Sequence, residues 1–396
     1  MRYGLIAFFC CCVLPASTQR TVAGRVVAEG TGQPIAGISV FINNSVVGTS
    51  TASDGSFRLT NVPAGDLIVS GVSFESIVYT VKPGEAPLNL RFELKPKVKE
   101  LDNITIGGYV TESWEKWGNI FLETFIGRTP MARKCILQNK EAIRFRYYKK
   151  EQVLEAVADV PLVIVNPQLD YIIRYDLQDF KISFSTSQSY YSGFALFLER
   201  NATSKRGAAR NRKKAYYGSA MHFIRALYQN RLAEEDFEVR RMIRVPDIEK
   251  ERVRKIAAQR ALQLAKTGLM EAQSQDSAAY YKQVMGRSDY TNYYAPALLR
   301  TDSVLTGTIG GYKMVYWNQF LAVTYLGATE DREYLQYLGA PNRPALHQRS
   351  LLQLKGPVGI DQRGNWAPPG DLTSSGYWGW SNSVGNMLPL DYEPLQ

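Results

Sequence analysis

The sequence predicts a mainly β protein in which an N-terminal Greek-key β-sandwich precedes a larger, mixed α+β region. Three observations predict it. Residues 21–94 break into short strand-like runs divided by turn residues, and residues 141–200 alternate apolar with polar positions. The composition is globular and aromatic: 45% of the 396 residues are hydrophobic, with 24 Tyr, 16 Phe and 6 Trp, a bias that suits pleated, half-buried surfaces.

Residues 1–19 read as a secretory signal. Arg2 supplies the positive start, Leu5 to Leu14 is an apolar run, and Pro15-Ala16-Ser17-Thr18-Gln19 offers small residues for cleavage. The run is shorter than the roughly 18 apolar residues of a membrane span. Phe8 and Phe9 precede Cys10 where a lipid-attachment site wants small residues, so a lipid anchor is not expected. Cleavage after Gln19 leaves a chain with 46 Lys and Arg against 37 Asp and Glu, and Cys135 as its only cysteine. No internal disulfide or multi-cysteine metal site can then form. Export without disulfides fits a bacterial envelope, and the sequons at Asn43, Asn103 and Asn201 read as chance.

The sandwich is expected over residues 20–95. Candidate strands are Val22 to Val27, Ile38 to Ile42, Val46 to Thr51, Phe57 to Leu59, Leu67 to Val72, Ile77 to Val81 and Leu88 to Leu94. Gly30 to Pro34, Asn43-Asn44, Ser53-Asp54-Gly55, Pro63-Ala64-Gly65 and Pro83-Gly84 separate them, a spacing that predicts an antiparallel sandwich. Gly24-Arg25-Val26, Gly32 to Val40, Gly48-Thr49, Asp54 to Leu59, Val62 to Gly65 and Ser70-Gly71-Val72 resemble the carboxypeptidase-regulatory-like pattern. That resemblance implies a transthyretin-like sandwich, a module that accompanies metallocarboxypeptidases and many envelope proteins and is not itself a peptidase. A fold of this kind supplies no function by analogy.

Residues 96–110 read as a linker, and 111–396 as an α+β domain. Trp114, Trp117, Ile120, Phe121 and Phe125 recur at helical steps and predict a helix ending near Gly127. An antiparallel meander is expected over 141–200 and a helix over Ser219 to Asn230. The charged, Ala-rich stretch to Gln275 reads as partly helical, and short strands are expected from Tyr280 onward. Trp114-Glu115-Lys116-Trp117, His222 to Tyr228, Gly376 to Trp380 and Met387 to Pro394 together resemble a group of Bacteroidota envelope proteins that join a carboxypeptidase-like regulatory domain to a larger partner region. The resemblance implies a location, the periplasm or an outer-membrane face, rather than an activity. Asp276-Ser277-Ala278 and Asp302-Ser303-Val304 match the short O-glycosylation motif of that lineage, a pattern that chance also produces.

No set of catalytic residues emerges. A catalytic zinc site wants three His, Glu or Asp ligands, but the only histidines, His222 and His347, stand in no such frame. His222 reads as a packed helix residue. No G-x-S-x-G elbow and no phosphate-cradling glycine loop is present. Arg133 and Lys134 beside Cys135 would favour a thiolate, but a buried small hydrophobe is the preferred reading. Glu234-Glu235-Asp236 lies in a mixed-charge run and reads as solvated surface.

Two features remain as candidate sites. Lys205, Arg206, Arg210, Arg212, Lys213 and Lys214 form a basic cluster suited to an acidic partner or anionic lipid. A second cluster, Arg240, Arg241, Arg244, Lys250, Arg252, Arg254, Lys255 and Arg260, is diluted by acids. Trp366, Tyr377, Trp378 and Trp380 could form an aromatic platform for a glycan, against the alternative that they complete a core. The expectation is a non-enzymatic envelope accessory protein with no cofactor, no metal and no nucleic-acid partner, joining a docking sandwich to a region that binds an outer-membrane or periplasmic complex. A carbohydrate-binding accessory protein and an enzyme working through unpaired Asp or Glu residues are the alternatives.

Overall fold

The computed structural model describes residues 20–82, 84–85, 88–97, 108–200, 205–268 and 275–394. The expected signal segment and the linker interior at 98–107 lie outside the described residues, as do Asn103 and Asn201. The chain divides into two compact units, Met1–Asn103 and Ile104–Gln396. Strands dominate both.

In the N-terminal unit the strands are β1 (Val22–Ala28), β2 (Ser39–Ile42), β3 (Gly48–Ser50), β4 (Ser56–Leu59), β5 (Gly65–Ser70), β6 (Ile77–Val81) and β7 (Leu88–Leu94). They form two sheets in the orders β4-β1-β7 and β3-β2-β5-β6. Alternation turns Val22 and Val26, Val40 and Ile42, Leu67 and Val69, and Phe92 and Leu94 into one shared core. The pairing is not wholly antiparallel as expected. β1 and β7 run parallel along their length, from Val22↔Leu88 to Ala28↔Leu94. A parallel pair needs a long crossover, and the second sheet supplies it. Gly24 occupies the middle of β1 because a Cβ there would strike the Leu90 carbonyl and the Phe57 ring. The Asp54-Gly55 turn closes as its sequence demands: Gly55 has φ +76° and Asp54 Oδ1 accepts from the Ser56 N–H at 3.0 Å.

The larger unit opens with β8 (Tyr109–Glu112), which pairs with a later strand and so begins this unit inside the expected linker. Then follow α1 (Trp114–Phe125), β9 (Ile136–Leu137), β10 (Ile143–Tyr148), β11 (Val153–Ala158), β12 (Leu162–Asn166), β13 (Tyr171–Ser183) and β14 (Gln188–Glu199). The 13-residue β13 is the spine. β14 lines one edge, while β12 and β11 share the other, at its first and last thirds. A bulge between Leu177 and Asp179 bends the spine. Phe121 and Phe125, one helical turn apart on α1, press onto it: Phe121 lies 4.8 Å from Phe180 and Phe125 5.0 Å from Tyr175, ring centre to ring centre. Burying each ring contributes about 1.5–3 kcal/mol.

The rest of the chain builds a second core. α2 (Lys205–Tyr216) and α3 (Ala220–Gln229) lead into β15 (Phe237–Pro246), α4 (Ile248–Thr267), α5 (Gln275–Met285), β16 (Tyr290–Tyr294), β17 (Leu305–Ile309), β18 (Tyr312–Val315), β19 (Phe320–Thr329), α6 (Arg332–Tyr337), β20 (His347–Leu354), β21 (Val358–Ile360), β22 (Trp366–Ala367), β23 (Leu372–Gly376) and α7 (Tyr377–Ser381). Sheets in the orders β16-β15-β19-β20-β23 and β17-β18-β21-β22 enclose Phe223 and Leu227 of α3 with Val239, Leu321, Val323 and Trp317. Residues 280–285 belong to α5, so the expected return to strands waits until β16.

α3 carries a buried cation. Arg225 is 5% exposed. Its Nε donates to the Arg363 carbonyl at 3.0 Å, Nη1 to the Tyr392 carbonyl at 3.0 Å and Nη2 to the Leu390 carbonyl at 3.1 Å. Glu393 lies 3.5 Å from Nη1 but is largely in solvent and adds little. Replacing Arg225 by Leu would strand three carbonyls at once. The Arg225→Leu variant is expected to lose about 3 kcal/mol in urea unfolding, within the range for breaking a buried charged network, and to expose residues 388–394 to faster proteolysis. An unchanged urea midpoint would refute that role.

Candidate functional site

The six-residue basic cluster lies on α2 and divides by what each side chain touches. Arg212 faces inward: Nε donates to the Leu169 carbonyl at 2.8 Å, Nη1 reaches Glu199 at 3.3 Å, and the guanidinium lies 3.9 Å from the Tyr171 ring centre. It pins α2 to the turn between β12 and β13. Lys214 pairs with Asp331 at 3.1 Å. Arg206, Arg210 and Lys213 fall at i, i+4 and i+7 and share one helix face; Arg206 and Arg210 are exposed and Lys213 is half-buried. The Lys205 side chain lies outside the described set.

The second cluster is more thoroughly engaged. Lys250 is buried and pairs with Asp289 at 2.8 Å, and Arg254 reaches the same carboxylate at 2.6 Å. Arg252 binds Glu249 at 2.6 Å, and Arg241 donates to the Ser303 carbonyl at 3.4 Å. Arg240 binds the Pro296 carbonyl. Arg260 lies 5.6 Å from the Tyr281 ring centre.

The aromatic quartet does not form a surface platform. Tyr377, Trp378 and Trp380 are buried on α7, Trp378 to 3% exposure. The Trp378 indole N–H donates to the Gly218 carbonyl at 2.7 Å, and its ring meets Phe223 at 5.5 Å. The Tyr377 hydroxyl donates to Asp331 at 2.7 Å, and burial with that carboxylate pushes its pKa far above the usual phenol range. Trp366 is half-buried and donates to the Pro369 carbonyl at 3.3 Å. The short turn of helix after β23 rolls the large rings inward, where their area stabilises most.

One of these rings reaches a surface cavity. A cleft of about 400 Å³ opens where the end of α1 approaches α6, with Trp380 in its wall. Glu123, Arg128 and Arg133 line one side; Glu333, Gln336 and Tyr337 line the other. Arg128 pairs with Glu123 at 3.0 Å and its guanidinium lies 5.2 Å from the Tyr337 ring centre. Arg133 and Glu333 make no ion pair among the described residues. Rings beside balanced cations, carboxylates and an amide provide stacking faces, donors and acceptors without a net charge, a combination suited to a neutral, hydroxyl-rich ligand.

His222 and Cys135 are turned away from solvent, whereas Glu234 is exposed. His222 is buried among the rings of Tyr216, Tyr217, Phe237 and Tyr325. Its Nδ1 accepts from the Gly218 N–H at 3.1 Å, so the proton resides on Nε2 and is donated to Glu235 Oε2, also at 3.1 Å. Burial pushes the Cys135 thiol up to about 12, overriding its basic neighbours, and Cys135 Sγ lies 3.8 Å from the Met131 carbonyl. Glu234 and Glu235 pair with Arg231 at 2.7 and 3.0 Å. Among the described residues no group of three or more His, Cys, Asp or Glu is placed to hold a metal, and no helix is long and apolar enough to cross a membrane.

The hairpin of α4 and α5 is largely uncovered among its described residues. Only Lys250 and Val253 of the 20 residues of α4 are buried. Ile248 is 77% and Leu262 57% exposed, and Leu264, Tyr280 and Met285 are also uncovered.

Residues 22–106 match the CarboxypepD_reg-like domain family, which accounts for the N-terminal sandwich. No curated protein matches the chain. A solved structure described as a "putative carbohydrate binding protein" from Bacteroides uniformis aligns over 47% of this chain and 81% of its own, at 11% identity and a TM-score of 0.14, too low to establish a shared fold.

Burial holds the His222 imidazole below its usual pKa of 6.5, the Glu235 contact only partly opposing it. A base whose folded pKa is depressed stabilises the fold while neutral. Stability should therefore be full above about pH 6.5, fall as pH drops through that value by at most about 1.4 kcal/mol per unit, and level off below the folded pKa. Urea unfolding of the native protein against His222→Gln across this range isolates the effect; parallel curves would dismiss it.

Proposed function

We propose that this chain is an exported, non-enzymatic accessory protein of the cell envelope, in which the CarboxypepD_reg-like sandwich docks or spaces the molecule and the larger unit binds a protein of an outer-membrane or periplasmic complex. The observation that carries the reading is the α4–α5 hairpin. Its longer helix is locally well specified: Asp247 caps α4 by accepting the Lys250 N–H at 3.0 Å, and Gly268 at φ +68° ends it. Yet Ile248, Leu262 and Leu264 are uncovered on a basic helix, apolar surface that a partner protein would bury. The inward-facing His222 and the neutral Cys135 thiol support a non-catalytic role. Export rests on the pattern of residues 1–19.

A protein partner fits α4 better than a lipid surface. Leu262 and Leu264 stand two residues apart, about 200° round the helix, so α4 offers no single apolar side to lie on a bilayer. A photo-crosslinking residue at position 262, in the full chain expressed in its native envelope, should yield a discrete adduct in the membrane fraction. The adduct should disappear when Ala265→Glu, exposed on the same side of the helix as position 262 and about one turn away, is added without a change in Tm. Absence of an adduct, or its indifference to the added charge, would defeat this reading.

The cleft favours a second reading, carbohydrate binding. If it is correct, neutral oligosaccharides quench tryptophan fluorescence and Tyr337→Ala removes the quench while Trp366→Ala does not. Quenching that survives Tyr337→Ala would exclude the cleft.

A further inference from the structure

β16 ends its sheet, and all five of its residues are exposed. The bonds around it determine which backbone groups face outward. The Ala295 N–H donates to the Arg241 carbonyl and the Asp247 N–H to the Asp289 carbonyl. With the register Ile243↔Tyr293 and Val245↔Thr291, the residues of β16 bonded to β15 are Thr291 and Tyr293. The N–H and C=O of Asn292 and Tyr294 therefore point away from the sheet, and no strand pairs with them among the described residues. Those of Tyr290 are engaged by the Ser288 hydroxyl, at 3.4 and 2.8 Å.

Open edges are normally guarded by a charged residue, a proline or a bulge. The strand Tyr290-Thr291-Asn292-Tyr293-Tyr294 has none of these, and its pairing with β15 is free of register shifts. Its two faces differ. On the side of Asn292 and Tyr294, Arg244 Nε reaches Asn292 Oδ1 at 3.3 Å and the Arg349 guanidinium lies 5.3 Å from the Tyr294 ring centre. On the other side Tyr293, 59% exposed, continues an uncovered apolar row with Ile243 and Val245.

We infer that the outer edge of β16 takes, by strand addition, an extended acidic segment of a partner protein, its apolar side chains on the Tyr293 face and its carboxylates on the Arg244 and Arg349 face. This rests on the partner-binding reading. The sign of the partner follows from charge. Residues 240–294 hold eleven Lys and Arg against six Asp and Glu, so edge-to-edge pairing of two copies would bring like charges together, whereas an acidic strand is attracted.

The test is fluorescence anisotropy with the full chain and a labelled peptide of alternating Val and Glu, beside its Val–Lys counterpart. The Glu peptide should bind roughly tenfold tighter than the Lys peptide and weaken with added salt. Asn292→Pro removes an outward donor and no backbone bond to β15, only the exposed side-chain contact with Arg244, and should weaken Glu-peptide binding roughly tenfold at unchanged Tm. Arg244→Glu with Arg349→Glu should reverse the charge preference. Equal binding of both peptides, or binding indifferent to these variants, overturns the inference. So does a concentration-dependent dimer abolished by Asn292→Pro, which would assign the edge to a second copy. Absence of peptide binding alongside a persisting adduct at position 262 retires the strand inference alone; loss of that adduct with peptide binding intact retires the hairpin reading instead.

Discussion

A guanidinium removed from water must find acceptors, and the acceptors for Arg225 lie 138 residues or more further along the chain, at Arg363, Leu390 and Tyr392. Desolvating such a charge costs several kcal/mol unless its donors are satisfied. The C-terminal segment must therefore fold back over α3. On the way it crosses the first core: the Gly385 N–H donates to the Ile126 carbonyl, and Asn166 Nδ2 donates to the Gly385 carbonyl at 2.9 Å. Val384 and Leu388 enter that core, while Trp378 and Trp380 enter the second. The last residues of the chain thus join two hydrophobic cores, and the burial that removes Trp378 from any surface role follows from the same return.

Elements whose stability is local were legible in the sequence. The sandwich announces itself through turns such as Asp54-Gly55, and α1 through the helical spacing of Trp114, Trp117, Ile120, Phe121 and Phe125. What sequence pattern could not supply was partnership between distant segments. The parallel pairing of β1 with β7 depends on which strands are brought together after a whole sheet has intervened, and no turn residue records it. α2 and α4 were hard to read for another reason: neither carries a broad apolar stripe, so the period that reveals α1 is missing.

The candidate sites show the same limit. Counting Lys and Arg locates charge, but whether a charge is available depends on acceptors elsewhere. Arg212 is spent on the carbonyls of the β12–β13 turn and the Tyr171 ring, whereas Arg206 and Arg210, close by on the same helix, are exposed. The C-terminal aromatics were likewise visible as a cluster while their burial was not; Trp380 lines the cleft beside Arg128 and Tyr337, which lie far from it in sequence. The open edge of β16 was illegible in principle, since edge position is a property of the assembled sheet.

The α4–α5 excursion lies between two strands that hydrogen-bond to each other, β15 and β16. Its length matters little to the core, because closing a longer loop between paired strands costs only about 0.6 kcal/mol for each doubling. Packing therefore places few demands on these residues, as the exposure of α4 shows. Where packing does not dictate the side chains, uncovered leucines, a basic balance and an unguarded strand edge have no explanation in the stability of the fold. They coincide on one excursion, which includes a helix capped at both ends and a strand that keeps its register. A surface that is regular in its backbone, apolar in part and incompletely hydrogen-bonded is what a folded binding element must present before its partner arrives.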